Sequence, residues 1–504
     1  MPDAANGSSL RGRTVQEYID ERPTWPDGTH LPSTPMTRMQ RRIWTLAAAG
    51  KFFEGFVVFM TGVAVPLIAR QFEITPAQKG LVAAASLGGI LVGALGLGSL
   101  SDYFGRKSMF VVEMIIFTVF LGAAVFCTSF TSLVFCLFGL GLALGCDYPT
   151  AHMIISENIP STSRGKLVLA AFAFQSVGAV GGAAVGYAVL ATVPNLDAWR
   201  WMYATAVVPA IVVTVGRFYI TESANWLQTR GAVDRATSAT QKLLVRTPQY
   251  PREIVLAPRP AAAHGSSHGK ASFLSLFGKR YRRATILASV PWFLQDLGTY
   301  GIGIFTPTIL ATAIGHKADH VRSMSDLIAN ARLAARGDAM ITMLLIVGIA
   351  FAVVLADKVG RIRLQILGFI GCAVGLFIAS LSVDAAGSLK IGLIFGGFML
   401  FDFMTNLGPN AQTYLLAGEV FPTAIRGKGA GFAAAFAKIG AVMTAFLFPI
   451  LLVTVGTRLL LYGLVVAFVL GAVVTWFFRI ETTGVNLDRI GETTAEEERR
   501  TAAA

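Results

Sequence analysis

Long apolar runs recur along this chain of 504 residues, and they constrain its fold more than any other feature. Each run is about 20 residues long, which is the length an α-helix needs to cross roughly 30 Å of hydrocarbon. Hydrophobic residues make up 54% of the chain and charged residues only 14%, too little charge to cover a soluble protein of this size. Helices satisfy their own backbone hydrogen bonds in lipid, so the runs predict an all-α integral membrane protein.

We count about twelve such runs from their length and apolar character. They are centred near Thr61, Gly89, Phe117, Ala143, Val180, Pro209, Leu294, Leu345, Val374, Leu400, Met443 and Phe468. All four cysteines fall inside these runs, so we expect small buried residues and no disulfide framework. Residues 1–42 are polar and lack a short apolar core, so no cleaved signal peptide is expected.

The formal net charge of +13 reflects basic residues that collect before the first run and after the even-numbered ones. They are Arg38, Arg41, Arg42, Arg106, Lys107, Arg164, Lys166, Arg230, Lys242, Lys279, Arg280, Arg282 and Arg283. The loop before the eighth run is an exception, with Lys317, Arg322, Arg332 and Arg336. By the positive-inside rule we expect a multi-pass protein of the plasma or inner membrane with both termini in the cytoplasm. The charge is an orientation signal, and no nucleic-acid partner is expected.

Short motifs repeat at a spacing of about 260 residues, which indicates a duplicated six-span unit. Residues 157–166, "ENIPSTSRGK", and 419–428, "EVFPTAIRGK", share the pattern E-x-x-P-[ST]-x-x-R-G-K. Two further pairs match, "SLSDYFGRKS" with "VLADKVGRIR" and "TESANWL" with "IETTG". The expected organisation is a tail over 1–42, a bundle over 43–220, a polar linker over 221–282, a second bundle over 283–480 and a tail over 481–504.

These duplicated loops resemble those of the major facilitator superfamily, and in particular its sugar-porter-like branch. The resemblance implies twelve transmembrane helices in two six-helix bundles that face each other across a central cavity. It also implies that the loop charges gate the cytoplasmic side. They are Asp102, Arg106, Lys107, Glu157, Arg164, Glu222, Asp357, Arg361, Glu419, Arg426 and Glu481. The alternative is that these residues only fix topology and cap helix ends.

Ionisable residues also stand inside the apolar runs. Asp147 lies in "GCDYPTAH", where an ionised acid costs on the order of 3 kcal/mol or more at mid-membrane. It should therefore face a cavity or pair with a base, and Lys438 in the eleventh run is a candidate. Lys51 lies three residues before Glu54 and could pair with it on one helical face, or extend to the membrane surface.

The seventh run contains "PWFLQDLGTYG", in which Trp292, Asp296 and Tyr300 are spaced by four. That spacing places all three side chains on one helical face, so the stripe is a candidate substrate site. Aromatic stripes also serve packing alone, but the aspartate favours a functional site.

A narrower resemblance to proton-coupled phosphate symporters lies in "GCDYP", "AFAFQSVGA", "WFLQDLGTY" and "GPNAQTY". It implies a pocket lined by Tyr148, Gln175, Trp292, Asp296, Tyr300 and Asn410, with Lys438 matching a lysine of the family. Glu54, Asp147 and Asp296 would then couple protons. The first run departs from that family, because it has Glu54, Gly55, Phe56 and Val57 where the family has two acids flanking a tyrosine.

The sequence thus predicts a secondary transporter that takes up a small anion, an organic acid or phosphate, with protons by alternating access. A symporter of sugars or other neutral metabolites and a proton-antiport drug exporter remain alternatives. We expect a monomer without metal or cofactor other than the coupling proton, and no enzyme motif is present. His152 could titrate near neutral pH, although a packed, hydrogen-bonded histidine is favoured.

Overall fold

A computed structural model describes residues 12–22, 34–96, 100–245, 254–256, 273–314, 324–422 and 425–483. The predicted site residues Asp102 and Tyr148 belong to helices, but their side chains lie outside the described part. The basic loop residues Lys317 and Arg322 and most of the C-terminal tail lie outside it as well.

Six long helices form the N-terminal half. In order they are the first to sixth spans, Arg38–Gln71, Pro76–Gly96, Arg106–Val125, Phe130–Asn158, Arg164–Thr192 and Ala198–Phe218. The C-terminal half contains the seventh to twelfth spans, Arg282–Ile314, Met324–Val359, Arg361–Leu381, Gly387–Leu407 with Pro409–Glu419, Arg426–Thr454 and Gly456–Phe478. Within the described residues, eleven of these spans meet the length and hydropathy expected of a membrane-crossing helix. The seventh span is not one of the eleven, but it is a continuous helix of 33 residues. The predicted all-α membrane fold is confirmed.

The duplicated motifs have a common local cause. Gly105 and Gly360 precede the third and ninth spans with φ of 103° and 99°, a backbone region that favours glycine. Glu222 lies over Gly105 and accepts a hydrogen bond from the Lys107 amide at 2.9 Å. A carboxylate at a helix N-terminus satisfies free amides and meets the positive end of the helix dipole.

Glu481 repeats this arrangement in the second half, where it accepts hydrogen bonds from the amides of Arg361 at 3.1 Å and Ile362 at 3.2 Å. Glu222 and Glu481 therefore each cap the N-terminus of a span. We call the end of the bundle that carries these loops the basic end.

Spans pack closely where glycines face a neighbouring backbone, because a residue without a side chain lets two helices approach each other. A side chain at Gly55 or Gly178 would overlap the backbone of the facing helix, Gln175 in one case and Phe52 in the other. This close contact between the first and fifth spans brings Gln175 beside Glu54.

The tail and the linker contain short helices within the described residues. Helices form at Val15–Asp20, Ala224–Thr229 and Val233–Leu243. The physical reason is that Val15, Tyr18 and other apolar side chains of these segments bury themselves against the basic end. The Tyr18 hydroxyl also contacts the backbone of Val255 in the linker, at 2.9 Å to N and 3.1 Å to O.

Candidate functional site

Lys438 of the eleventh span occupies the centre of a buried polar cluster between the two halves. Its Nζ lies 2.6 Å from the Tyr300 hydroxyl, 3.4 Å from Oδ2 of Asp296 and 3.7 Å from Oε1 of Glu54. Tyr300 and Asp296 belong to the seventh span, whereas Glu54 belongs to the first. One cation therefore joins carboxylates from opposite halves.

Glu54 has partners from its own half as well. Lys51 lies 3.3 Å from Oε2, which confirms the predicted pairing of these two residues along one helical face. Oε1 of Glu54 accepts a hydrogen bond from Gln175 of the same half at 3.1 Å. It also accepts one from the Tyr300 hydroxyl of the other half, at 3.1 Å. We call the set Lys51, Glu54, Gln175, Asp296, Tyr300 and Lys438 the central cluster.

The central cluster is electrically balanced. It contains two cations, Lys51 and Lys438, and two carboxylates, Glu54 and Asp296, and each of these side chains is at most 6% exposed. Buried charges are tolerated only when they are paired and hydrogen-bonded. Any added charge must therefore be compensated inside the cluster.

The halves contact each other on both sides of the central cluster. Toward the basic end, the ring of Tyr414 stacks on Phe172 with centroids 4.4 Å apart. Toward the opposite end, Gly62 packs against the backbone of Ile304 and Gly303 packs against the ring of Phe59. In this conformation the cluster is covered from both directions.

Asn410, another predicted pocket residue, lies at the break in the tenth span. The helix stops at Leu407 and resumes at Pro409, and Asn410 donates to Asn406 at 2.6 Å. Asn406 in turn donates to Ser176 of the fifth span at 2.6 Å, so this branch also joins the halves. Discontinuous spans are a common source of binding groups in transporters.

Trp292, the first residue of the predicted stripe, is buried and lies edge-on to Tyr414 with ring centroids 6.2 Å apart. Asp296 and Tyr300 of the same stripe belong to the central cluster. Tyr414 is a site residue that the sequence does not predict, although it ends the motif "GPNAQTY". His152 is exposed, and its Nδ1 lies 3.5 Å from the Tyr414 hydroxyl, a contact between halves.

Asp147 pairs with Arg217 and not with Lys438, which corrects the sequence expectation. Arg217 Nη2 lies 2.7 Å from Asp147, and Nη1 lies 2.8 Å from Glu113 of the third span. The physical reason is that the packing of the third, fourth and sixth spans places Asp147 inside the N-terminal half. The sequence does not single out Glu113, although this acid interrupts the apolar run "FVVEMII" in the way that Asp147 interrupts its own run. An acid inside an apolar run is the signal that predicts both residues.

The predicted gating residues form two matching networks at the basic end. Arg106 lies 3.5 Å from Glu157, and Ser223 also donates to Glu157. In the second half Arg361 lies 3.2 Å from Glu419 and 2.8 Å from Asp357. These ion pairs connect spans of the same half.

Two other residues of these networks make local contacts. Arg164 donates to the Ser161 hydroxyl at 3.4 Å, and Arg426 donates to the Phe421 carbonyl at 3.1 Å. Partial burial acts against ionisation of Glu481, but hydrogen bonds from Thr483 and from the Arg361 and Ile362 amides hold its pKa below the ordinary value.

Two helical bundles around a buried, charge-balanced centre define a secondary transporter of the major facilitator type. The profile of the family described as "Sugar (and other) transporter" matches residues 43–493, so the chain belongs to this family. The predicted superfamily is thereby confirmed, as is the prediction of a transporter and not an enzyme. The protein is a multi-pass membrane protein with a small-molecule substrate.

Curated relatives include transporters of several kinds. The chain is 28% identical to the inner membrane metabolite transport protein YgcS of Escherichia coli over 92% of its length and 96% of the relative. It is 27% identical to the probable inorganic phosphate transporter 1-12 of Oryza sativa subsp. japonica, over 90% and 92%. It is 25% identical to the niacin transporter NiaP of Acinetobacter baylyi, over 82% and 88%.

Among solved structures, the proton:xylose symporter XylE shares the fold. Its complex with 6-bromo-6-deoxy-D-glucose superposes with a TM-score of 0.68 at 21% identity, covering 90% of this chain and 99% of that one. A partially occluded inward-open form of XylE from E. coli gives a TM-score of 0.70 at 20% identity, over 89% and 100%.

Proposed function

We propose that this protein couples the uptake of a small anionic metabolite, an organic acid or phosphate, to the entry of protons by alternating access. The observation that carries the proposal is the charge balance of the central cluster. Two buried lysines face two buried carboxylates, so a bound monoanion would add one uncompensated negative charge. Removing such a charge from water costs several kcal/mol.

A proton restores the balance. If Asp296 or Glu54 takes up a proton, the carboxylate no longer competes for Lys438, and the ammonium group becomes available to the anion. Gln175 and Tyr300 offer further hydrogen-bond donors around the same point. Proton and anion would thus bind together more strongly than either alone, which is the thermodynamic condition for symport.

Alternating access follows from where the cluster lies. Lys438 and Glu54 belong to different halves, and contacts between halves cover the cluster on both sides. Rocking the halves would open one side at a time around a fixed site. We place the basic end in the cytoplasm of a plasma or inner membrane, since its loops carry most of the arginines and lysines. The chain would act as a monomer, because both halves of the site belong to one polypeptide.

The chemistry of the relatives supports an anion. Phosphate and niacin, named for two of them, are both anionic at neutral pH. A neutral substrate such as a sugar is the second candidate. It is favoured by the amides of Asn406 and Asn410 and the indole of Trp292, which bind uncharged groups without disturbing the charge balance.

A ligand screen followed by flux measurements tests the proposal. Thermal shifts of purified protein would be recorded with inorganic phosphate, nicotinate, benzoate, gluconate, xylose and glucose. The best ligand would then be assayed in proteoliposomes with an internal pH dye. Stabilisation by an anion and acidification of the vesicle interior during its uptake are expected. Stabilisation by sugars alone, or anion uptake without proton movement, would contradict the proposal.

A further inference from the structure

A cavity of about 590 Å³ lies at the basic end, and no residue of the central cluster lines it. One wall comes from the N-terminal half, where Lys107 and Ser108 begin the third span and residues 218–222 lie at the end of the sixth. The linker helix Val233–Leu243 forms the second wall. Pockets that hold small molecules have volumes of about 300–1,000 Å³. The cavity is therefore large enough for a ligand of its own.

The linker helix presents two basic side chains to this cavity. The residues of the helix that line it are Arg235, Ser238, Ala239 and Lys242. Their spacing of three, four and seven residues places them on one helical face. Ala236 and Ala239 are buried in an apolar cluster with side chains of the first and fourth spans. Small alanine side chains let the helix lie close to the bundle, so its two cations reach the cavity.

The cavity carries a surplus of positive charge. Its lining includes three cations, Lys107, Arg235 and Lys242, and one acid, Glu222. Glu222 is committed to the end of the third span, where its Oε1 accepts hydrogen bonds from the amides of Lys107 and Ser223, each at 2.9 Å. Within the described part of the chain, the side chains of the three cations have no ion pair or hydrogen bond. Like charges gathered in one cavity raise its electrostatic potential and attract an anion.

The Lys107 side chain is not needed for the helix cap that the two halves share. In the second half Ile362 stands at the equivalent position, and its amide donates to Glu481 at 3.2 Å as the Lys107 amide donates to Glu222. An apolar residue thus serves the cap as well as a basic one, since only the backbone takes part. The ammonium group of Lys107 remains available for a ligand in the cavity that it lines.

Other lining residues favour a phosphate group at the membrane surface. Ser108 and Ser238 add hydroxyl donors, and the planar guanidinium of Arg235 matches two phosphate oxygens at once. Phe218 and Tyr219 also line the cavity and are 52% and 67% exposed. Aromatic side chains at the end of a span are typical of the boundary between lipid and water. The cavity therefore lies at the level of the phospholipid headgroups.

We propose that this cavity binds a phosphate-bearing anion, the headgroup of an acidic phospholipid or a soluble phosphate compound, between the third span and the linker helix. The anion contacts Lys107 on one side and Arg235 and Lys242 on the other, so it fastens the linker to the N-terminal half. A ligand that binds only the folded protein stabilises it. The site is independent of the transported substrate and of the proton coupling proposed above.

Thermal unfolding of the full-length protein in a neutral detergent tests the site and identifies the source of the phosphate. One series adds phosphatidylglycerol, another phosphatidylcholine with the same acyl chains, and a third glycerophosphoglycerol, the soluble headgroup without its chains. We expect phosphatidylglycerol to raise the melting temperature and phosphatidylcholine, which has no net charge, to leave it unchanged. An equal shift with glycerophosphoglycerol assigns the site to soluble phosphate compounds as well, whereas a shift with phosphatidylglycerol alone assigns it to lipid. A melting temperature that responds to neither anion would overturn the proposal.

Two pairs of substitutions locate the binding. Lys107→Gln combined with Arg235→Gln should weaken binding of the effective anion about 30-fold, since each basic residue near the membrane surface contributes roughly a factor of five. Arg41→Gln combined with Arg42→Gln is the matched control, because it removes two exposed cations of the same end that do not line the cavity. Equal weakening in both double variants would show diffuse attraction by surface charge and would contradict the site.

The single variant Arg235→Gln keeps the test decisive if the Lys107 substitution prevents folding. Arg235 is exposed, and its replacement alone should weaken binding about five-fold. Binding at full strength in this variant would place the anion elsewhere, such as the central cluster. Because the readout is the location of the bound anion and not its flux, a failure of the transport proposal leaves this result unaffected.

Discussion

Lys438 and Glu54 come from different halves of the molecule, and Nζ of the lysine lies 3.7 Å from Oε1 of the glutamate. Both side chains are buried, and the Tyr300 hydroxyl contacts both of them. Any opening of the halves must lengthen this contact. The ion pair is therefore placed where binding, protonation and conformational change affect one another.

Lys438→Met should destabilise the protein strongly. It leaves Asp296 buried without a cation in contact, and breaking a buried pair on one side costs about 3–5 kcal/mol. Adding Asp296→Asn should recover most of that loss, because the remaining side chain is neutral. Thermal unfolding in detergent measures both variants, with the exposed Lys166→Met as control. If the stability losses of Lys438→Met and Asp296→Asn simply added in the double variant, the two side chains would not be energetically coupled and the prediction would be wrong.

Asp296→Asn alone should separate proton coupling from substrate movement. The variant cannot exchange a proton at this position, so accumulation driven by a pH gradient should be abolished while the protein remains folded. Exchange of labelled for unlabelled ligand without a gradient should continue. Proteoliposome assays distinguish the two activities, and Asp234→Asn, an exposed acid of the linker, is the control. Unchanged pH-driven accumulation would refute the role of Asp296.

Gly105→Ala should lower stability by about 1–2 kcal/mol or more, because the left-handed conformation disfavours a side chain. In addition, the new Cβ would lie 2.5 Å from Glu222 and displace its cap. Gly231→Ala is a matched control, since Gly231 also has a positive φ of 73° but faces open space. Melting temperatures of the two variants isolate the steric contribution. Equal losses would show that Glu222 contributes nothing at this helix end.

The cap formed by Glu481 should make stability depend on acid pH. Because the pKa of Glu481 is held below its ordinary value of 4.5, the cap gives its full stabilisation at any pH well above 4.5. It should be lost as the pH falls through the lowered pKa. Melting temperatures between about pH 7 and pH 3 are expected to fall more steeply for wild type than for Glu481→Gln. Parallel curves would indicate that the cap does not stabilise the ionised form.

Local relationships along one helix could be read from the sequence. The pairing of Lys51 with Glu54 needs only a spacing of three residues. The shared face of Trp292, Asp296 and Tyr300 needs only a spacing of four. The twelve spans and their duplication likewise depend on hydrophobic length and motif repetition. These features follow from helix geometry and from the bilayer as solvent, which act on short stretches of chain.

Partners from distant spans were decided by tertiary packing. Asp147 pairs with Arg217, 70 residues away, and Lys438 pairs with Glu54 and Asp296. The rotation of each helix about its axis determines which buried group faces which. That rotation is set by close approaches such as Gly178 on Phe52, whose geometry appears only when all the helices are assembled. The sequence alone determined that buried charges exist in these spans, and the assembled bundle decided which of them neutralise one another.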